Sequence, residues 1–384
     1  MAIEYRLGRA EEYDDYIDFV NYVFGFNGTS SNFQTLIPYF YRRERNPAEP
    51  NYVALEDGKI KAAVGFFRHD LRVCGETLRC TGIGSVAVHP FCRGKGYMKA
   101  LMKMTTDDML AQNIDMGIVG GWRHRYQHFG YERAGTAIMF RITDAAMRQS
   151  FGDRSSTLTA YEVQASDTEI LDRIAADIER QPVVAVRQRA ALHEILTGRS
   201  YRLFAMLKDG EYRGYAVTDK DHIKELVLTD PAAEMDDFLI AIYRKLGFSS
   251  LNFRLAPHQR AYISALIPRF DTYSLDATRM FSIFHYRRVI NAYLKLKLTY
   301  TSLPDGELCL HIHGAAREEC LRIRIENGTP SVQKCTPEEC TLELDHIPAM
   351  QLLFAPFCPA RDPLPYFARL WFPLPIWLFP SDHF

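Results

Sequence analysis

Apolar and polar positions alternate with a period of two over residues 3–7, and the largely apolar runs 52–56 and 59–67 flank a turn, so all three read as strands. Asp57-Gly58 between the last two predicts a tight β-hairpin. Tyr13, Tyr16, Ile17, Val20 and Phe24 recur at helical spacing, so residues 11–24 read as a helix with one apolar face. A shorter helix is predicted over 33–41, interrupted at Pro38. Strands are expected at 71–74, 83–88, 114–119 and 136–142, with a helix opening near Tyr97. The pattern predicts a central sheet flanked by helices, an α/β (α+β) arrangement.

Part of this order returns further on. Residues 201–207, Asp209-Gly210 and residues 211–217 echo the first hairpin, a strand comes next at 223–228, and then a helix at 235–246. A third segment, starting near Met280, shows a helix at 289–294 and strands at 296–301, 307–313 and 321–326. It continues with an Asn327-Gly328 turn and with Leu342-Glu343-Leu344, which leads to a helix at 347–354 with proline in its first turn. The expected division is 1–148, 149–280 and 281–384. The end of the chain, from Trp371, is rich in Trp, Phe and Pro; proline excludes regular helix there, and so much aromatic surface predicts docking against the body of the protein.

The most informative stretch is the strand at 83–88 together with the loop and helix after it. Pro90 leads to a basic loop, Arg93-Gly94-Lys95-Gly96, and then to the helix at Tyr97. A strand feeding a glycine-rich loop that opens a helix gathers backbone N–H groups and the positive end of the helix dipole on one point, which makes an anion site. Glycines let a phosphate approach the backbone, and Arg93 and Lys95 add charge. The chain has neither the P-loop spacing nor the dinucleotide-binding glycine fingerprint. In the second repeat the corresponding link, residues 229–234, carries Asp230 and Glu234 instead of cations, so no phosphate site is expected there.

Composition narrows the function. Of 384 residues, 47% are hydrophobic and 24% charged, with a formal net charge of −1, so no global field points to nucleic acid. No apolar run approaches the roughly 18 residues of a membrane span, and the N-terminus lacks the apolar core of a signal peptide. Eight scattered cysteines without a C-x-x-C pair fit a cytoplasmic protein with reduced thiols. His311 and His313 with Cys335 and Cys340 do not form a convincing ligand set, and no metal is expected.

The run Arg93 to Met98, after Val-x-Val-x-Pro, resembles the acetyl-CoA pyrophosphate loop of the GNAT N-acetyltransferases, with Met98 where a small residue is usual. Tandem GNAT-like units, a sterol-carrier-protein-like third domain and an aromatic C-terminus together resemble the Eis (enhanced intracellular survival) family. That resemblance implies acetyl transfer from acetyl-CoA to primary amines of cationic small molecules, aminoglycoside- or lysine-like, by a homo-oligomer, a hexamer in the family. It implies that Val86, Ala87 and Val88 meet the pantetheine arm and that Arg93, Gly94, Lys95, Gly96, Tyr97, Met98 and Lys99 hold the pyrophosphate. Tyr126 and Gln127 would line the coenzyme channel. Tyr131 would be the general acid, and the α-carboxylate of Phe384 the general base. An α-carboxyl group starts near a pKa of about 3.5, so it would need burial beside Trp377 and Phe379 to act as a base. His383, His128, His124 and Glu132 are alternative bases. Two other readings are a GNAT acting on protein or peptide amines, and a non-catalytic acyl-CoA sensor or lipid-binding protein.

Overall fold

The computed structural model describes residues 3–26, 28, 31–358 and 364–382. Two seven-stranded sheets carry the fold. In the first the order is Ile3–Leu7, Asn51–Glu56, Lys59–Arg68, Cys80–Val88, Met116–Val119, Arg279–Ile283 and Glu132–Ala134. Its one parallel junction joins Cys80–Val88 to Met116–Val119. In the second sheet the order is Thr159–Glu162, Arg202–Lys208, Glu211–Asp219, His222–Leu228, Ser250–Leu255, Ala137–Thr143 and Thr272–Asp276. Here too a single parallel junction lies fourth to fifth, between His222–Leu228 and Ser250–Leu255. The two sheets are therefore versions of one design, a tandem arrangement of GNAT-like units.

The repeats exchange strands. Ala137–Thr143, next in the chain after Glu132–Ala134, pairs with Ser250–Leu255 and Thr272–Asp276 in the second sheet. Arg279–Ile283, at the end of the second repeat, returns to pair with Met116–Val119 and Glu132–Ala134 in the first. Gly135 makes the crossing possible. Its φ is +73°, and a Cβ there would lie 2.1 Å from the Ile376 carbonyl oxygen, so only glycine fits.

A four-stranded sheet, ordered Thr329–Lys334, Glu318–Glu326, Gly306–His313 and Leu342–Asp345, makes the third unit. Tyr286–Leu298 and His346–Phe354 pack on it. The expected strand at 296–301 is absent, because the helix runs on through Leu298. Its alternating Leu296-Lys297-Leu298 pattern is read by burial on a helix face, and the Lys297 ammonium donates to the carbonyls of Trp371 and Pro373 at 3.0 and 3.1 Å.

The tail docks as its composition demands. Trp371, Leu374, Ile376 and Trp377 are buried in the same core cluster as the third sheet's Leu310, Leu321 and Ile323. At its end, the Arg187 guanidinium donates to Glu225 (2.9 Å), to the Asp382 carboxylate (2.8 Å) and to Ser381 (3.1 Å). These groups are buried, so the ion pairs act at low dielectric and tie the tail to the second sheet.

Candidate acyl-CoA and acceptor sites

The parallel junction of the first sheet is short. Pairing between the two strands covers Cys80 to Ile83 on one side and Met116 to Val119 on the other. Beyond Ile83 the strand Cys80–Val88 continues and diverges from its neighbour. A bulge opposite Ala63 and Gly65 bends it there, with Ser85 at a φ of +49°. The bend leaves Val86 and Val88 half-buried toward one face, while Ala87 is buried on the other, against the helix Tyr13–Gly25.

The loop after this strand is shaped for an anion. Gly94 and Gly96 both have φ of +82°, and a Cβ at either would meet nothing within 4 Å, so backbone conformation rather than crowding selects glycine. Gly96 is the N-cap of the helix Tyr97–Ala111, and no side chain caps that end. The helix thus presents unsatisfied N–H groups and the positive end of its dipole.

These groups face a cleft of about 1030 Å³ lined by Val86, Val88, Arg93, Gly94, Gly96 and Lys99, among others. Tyr97 and Met98 line it as well, and Val23 and Phe24 close it from the first helix. Arg125 adds a cation from the opposite wall. Among the described residues no carboxylate pairs with Arg93, Lys99 or Arg125. Lys95 stands apart: its ammonium is bound to Glu56 at 2.9 and 3.0 Å, and it does not line the cleft. Ala87 and Gln127 are also outside the lining. The Gln127 amide donates to Glu132 at 3.2 Å.

The two tyrosines differ in surroundings. Tyr131 is fully buried; its hydroxyl lies 3.8 Å from the Met109 sulfur and against Gly117, where a Cβ would be 2.5 Å away. Burial drives its pKa far above the usual phenol range. Tyr126 is buried against Gly121 and, like Gln127, is outside the lining of the cleft. Burial raises its pKa too, but the adjacent Arg125 charge opposes the rise. Glu132, an alternative base by sequence, is taken up by its neighbours: it accepts from Arg123 at 2.5 Å, Gln351 at 2.9 Å and the Arg133 amide at 2.8 Å. Burial alone would raise its pKa, but these donors outweigh it and hold the carboxyl below its usual range. His124 and His128 are exposed, and only His128 lines the cleft. His383 and Phe384 lie outside the described residues.

A second pocket, of about 330 Å³, opens on the far side of the Val119–Trp122 segment. Val119, Gly120 and Gly121 line it, while Trp122 lines the cleft, so one short segment forms a wall of both. The tail closes this pocket with Leu378 and Pro380. Sequence reading missed it because its walls come from both sheets and the tail.

In the third sheet, His311 and His313 share a face, and parallel pairing brings Glu343 beside them, with the donor atoms of the three within 4.8 Å of one another. The trio has donor chemistry that could hold a divalent metal. Its groups are engaged as ion pairs: His313 meets Glu343 at 2.5 Å and Glu318 at 3.3 Å, and both carboxylates raise its pKa. The Cys335 and Cys340 sulfurs are 3.7 Å apart.

The bulged strand, the basic glycine loop and the uncapped helix all lie within residues 4–134, which match the family described as Acetyltransferase (GNAT) domain. The protein is an N-acetyltransferase. No curated protein matches the chain. Solved structures with a similar fold include a conserved protein of unknown function from Enterococcus faecalis V583, a probable N-acyltransferase. The two are 18% identical with a TM-score of 0.64, over 90% of this chain and 88% of that one. A GCN5-related N-acetyltransferase from Anabaena variabilis is 15% identical with a TM-score of 0.64, over 90% and 88%. Eis1 from Mycobacterium abscessus is 14% identical with a TM-score of 0.57, over 90% and 87%.

Proposed function

We propose that the protein transfers the acetyl group of acetyl-CoA to a primary amine of a small molecule. The observation that carries this is the uncapped helix N-terminus at Gly96, set at the end of the diverging strand and facing a cleft whose cations pair with no described carboxylate. In this reading Arg93, Lys99 and the amides around Gly96 hold the pyrophosphate, and the edge at Val86 and Val88 receives the pantetheine arm. The amine enters from the smaller pocket. Loss of an ammonium proton frees the nitrogen lone pair, which attacks the thioester carbonyl. The C–N bond forms, the C–S bond breaks, the nitrogen gives up a second proton to become the amide, and the leaving thiolate takes one. The small size of this pocket and its closure by the tail favour a small acceptor over a protein chain. The third sheet's apolar face is filled by the chain's own tail, which favours an enzyme over a lipid carrier.

The proton for the thiolate comes, in this reading, from a tyrosine of the 126–131 segment. The resemblance assigns Tyr131. Neither tyrosine lines a pocket, but the Tyr131 hydroxyl is enclosed by Met109 and Gly117 whereas Tyr126 packs on Gly121, a wall residue of the smaller pocket, which favours Tyr126. The base assigned by resemblance is the Phe384 carboxylate, and the tail's approach at Leu378 and Pro380 supports it. One turnover experiment tests these roles by following CoA release with an amine panel. Tyr126→Phe lowers kcat by roughly 10²-fold or more, and Tyr131→Phe stays within a few-fold. One glycine appended after Phe384 moves the carboxylate by about 3.5 Å and abolishes turnover while the fold persists. The reverse order of the tyrosine variants would restore Tyr131, and a tolerant extension would pass the base to a histidine.

A further inference from the structure

We propose that the acceptor amine also carries an anion, a carboxylate or a phosphate ester, and that the small pocket beside Val119–Gly121 binds it through arginine and lysine. The proposal rests on the acetyl-transfer reading above and names the class of acceptor. Arg133, Lys224, Arg254 and Arg279 line the pocket, and no Asp or Glu is among its lining residues. They come from four strands, two in each sheet, and the strand exchange is what brings Arg279 and Arg133 opposite Arg254 and Lys224.

Arg254 is the most telling of the four. Its guanidinium donates to the backbone carbonyls of Ala277 and Thr278, both at 2.9 Å. These acceptors are neutral, and no carboxylate of the described residues lies within ion-pair distance of it. Burial lowers its pKa, the Arg133 charge adds to the fall, and Asp276 opposes it. Arg279 is pulled down to about 10 by burial, with Arg254 and Arg199 acting in the same direction and Asp382 against. Cations that destabilise one another in a partly dry pocket gain from an incoming anion. Three of the four are partly answered already: Arg133 meets Asp276 at 3.7 Å, Lys224 meets Asp219 at 3.1 Å, and Arg279 donates to the Asp382 carbonyl at 3.2 Å. Guanidinium groups match carboxylate and phosphate oxygens in pairs, so the site selects by shape as well as charge. A polyamine or an aminoglycoside would instead bring like charge toward Arg254, which pairs with no described carboxylate, and this argues against the cationic acceptors implied by the family resemblance.

The test uses the full chain, acetyl-CoA and acceptors that share an amine and differ by an anion. The pairs are cadaverine with lysine, tyramine with tyrosine, and glucosamine with glucosamine 6-phosphate. The first two pairs probe a carboxylate and the third a phosphate. Acetyl-CoA binding is measured first by calorimetry. The expected result is a kcat/KM at least about tenfold higher for the anionic member of one pair. Lys224→Gln and Arg254→Gln should shrink that ratio through KM of the anionic acceptor, with acetyl-CoA affinity unchanged. Arg133→Gln, at an exposed position, serves if Arg254→Gln fails to fold. Preference for cadaverine, tyramine and glucosamine over their partners overturns the proposal. A ratio that the variants leave unmoved, while turnover falls for all acceptors alike, overturns it too, because the cations would then serve the chain's own tail. Wild-type protein that binds no acetyl-CoA refutes the acetyl-transfer reading itself, whereas intact binding with failed selectivity refutes only this inference.

Discussion

The two repeats place the same crossing at the same point of their sheets and finish it in opposite ways. In the first, Cys80–Val88 leads through Arg93-Gly94-Lys95-Gly96 into Tyr97–Ala111, whose N-terminus no side chain caps. In the second, His222–Leu228 leads through Thr229 and Asp230 into Pro231–Leu246. There the Asp230 carboxylate accepts from the amides of Ala232 and Ala233 at 3.1 Å, and Glu234 accepts from the Asp230 amide at 3.0 Å. The second helix satisfies its own N-terminus with carboxylates, at the place where a phosphate would sit. The first leaves those donors open and surrounds them with cations. A shared fold therefore does not confer a shared site, because a few residues at a helix cap decide whether its dipole is offered to a ligand or consumed internally.

The sharpest way to break this contrast is to give the first crossing the charge of the second. Gly96→Glu puts a carboxylate and a side chain at φ +82° where the anion approaches, and calorimetry should find acetyl-CoA binding abolished. Unchanged affinity would show that the loop is not the cofactor site. A smaller effect separates two cations of one loop. Arg93→Ala should weaken acetyl-CoA by roughly tenfold, the size of a lost charge-assisted hydrogen bond. Lys95→Ala should do less, since that ammonium is already committed to Glu56. Equal losses in the two variants would mean that Lys95 leaves Glu56 to bind phosphate. The smallest effect belongs to the second repeat. Asp230→Ala uncaps Pro231–Leu246 and should cost about 1 kcal/mol of stability in a denaturant titration, without creating acetyl-CoA binding. Any gain of affinity there would contradict the argument that cations as well as an open cap are needed.

Much of the local structure was legible along the chain. Asp57-Gly58 and Asp209-Gly210 turn the two long hairpins, and all four residues adopt the positive φ that such turns require. Pro38 divides Phe33–Leu36 from Pro38–Tyr41, and the aromatic tail is buried. The glycine loop and the acidic link of the second repeat were readable because caps and turns depend on a few adjacent residues. Partnership was not readable. Residues 136–142 read as a strand and 279–283 fall unassigned at the start of the third segment, and neither stretch says which sheet will receive it. The same limit explains the misread 296–301, where burial against Trp371 and Pro373 overrode a strand-like pattern. It also hid the basic pocket, whose cations at 133, 224, 254 and 279 have ordinary neighbours in sequence. Covalent neighbours set backbone conformation and the faces of each element. Only the assembled sheets, by burying those faces against segments far away along the chain, decided which charges and hydroxyls share a site.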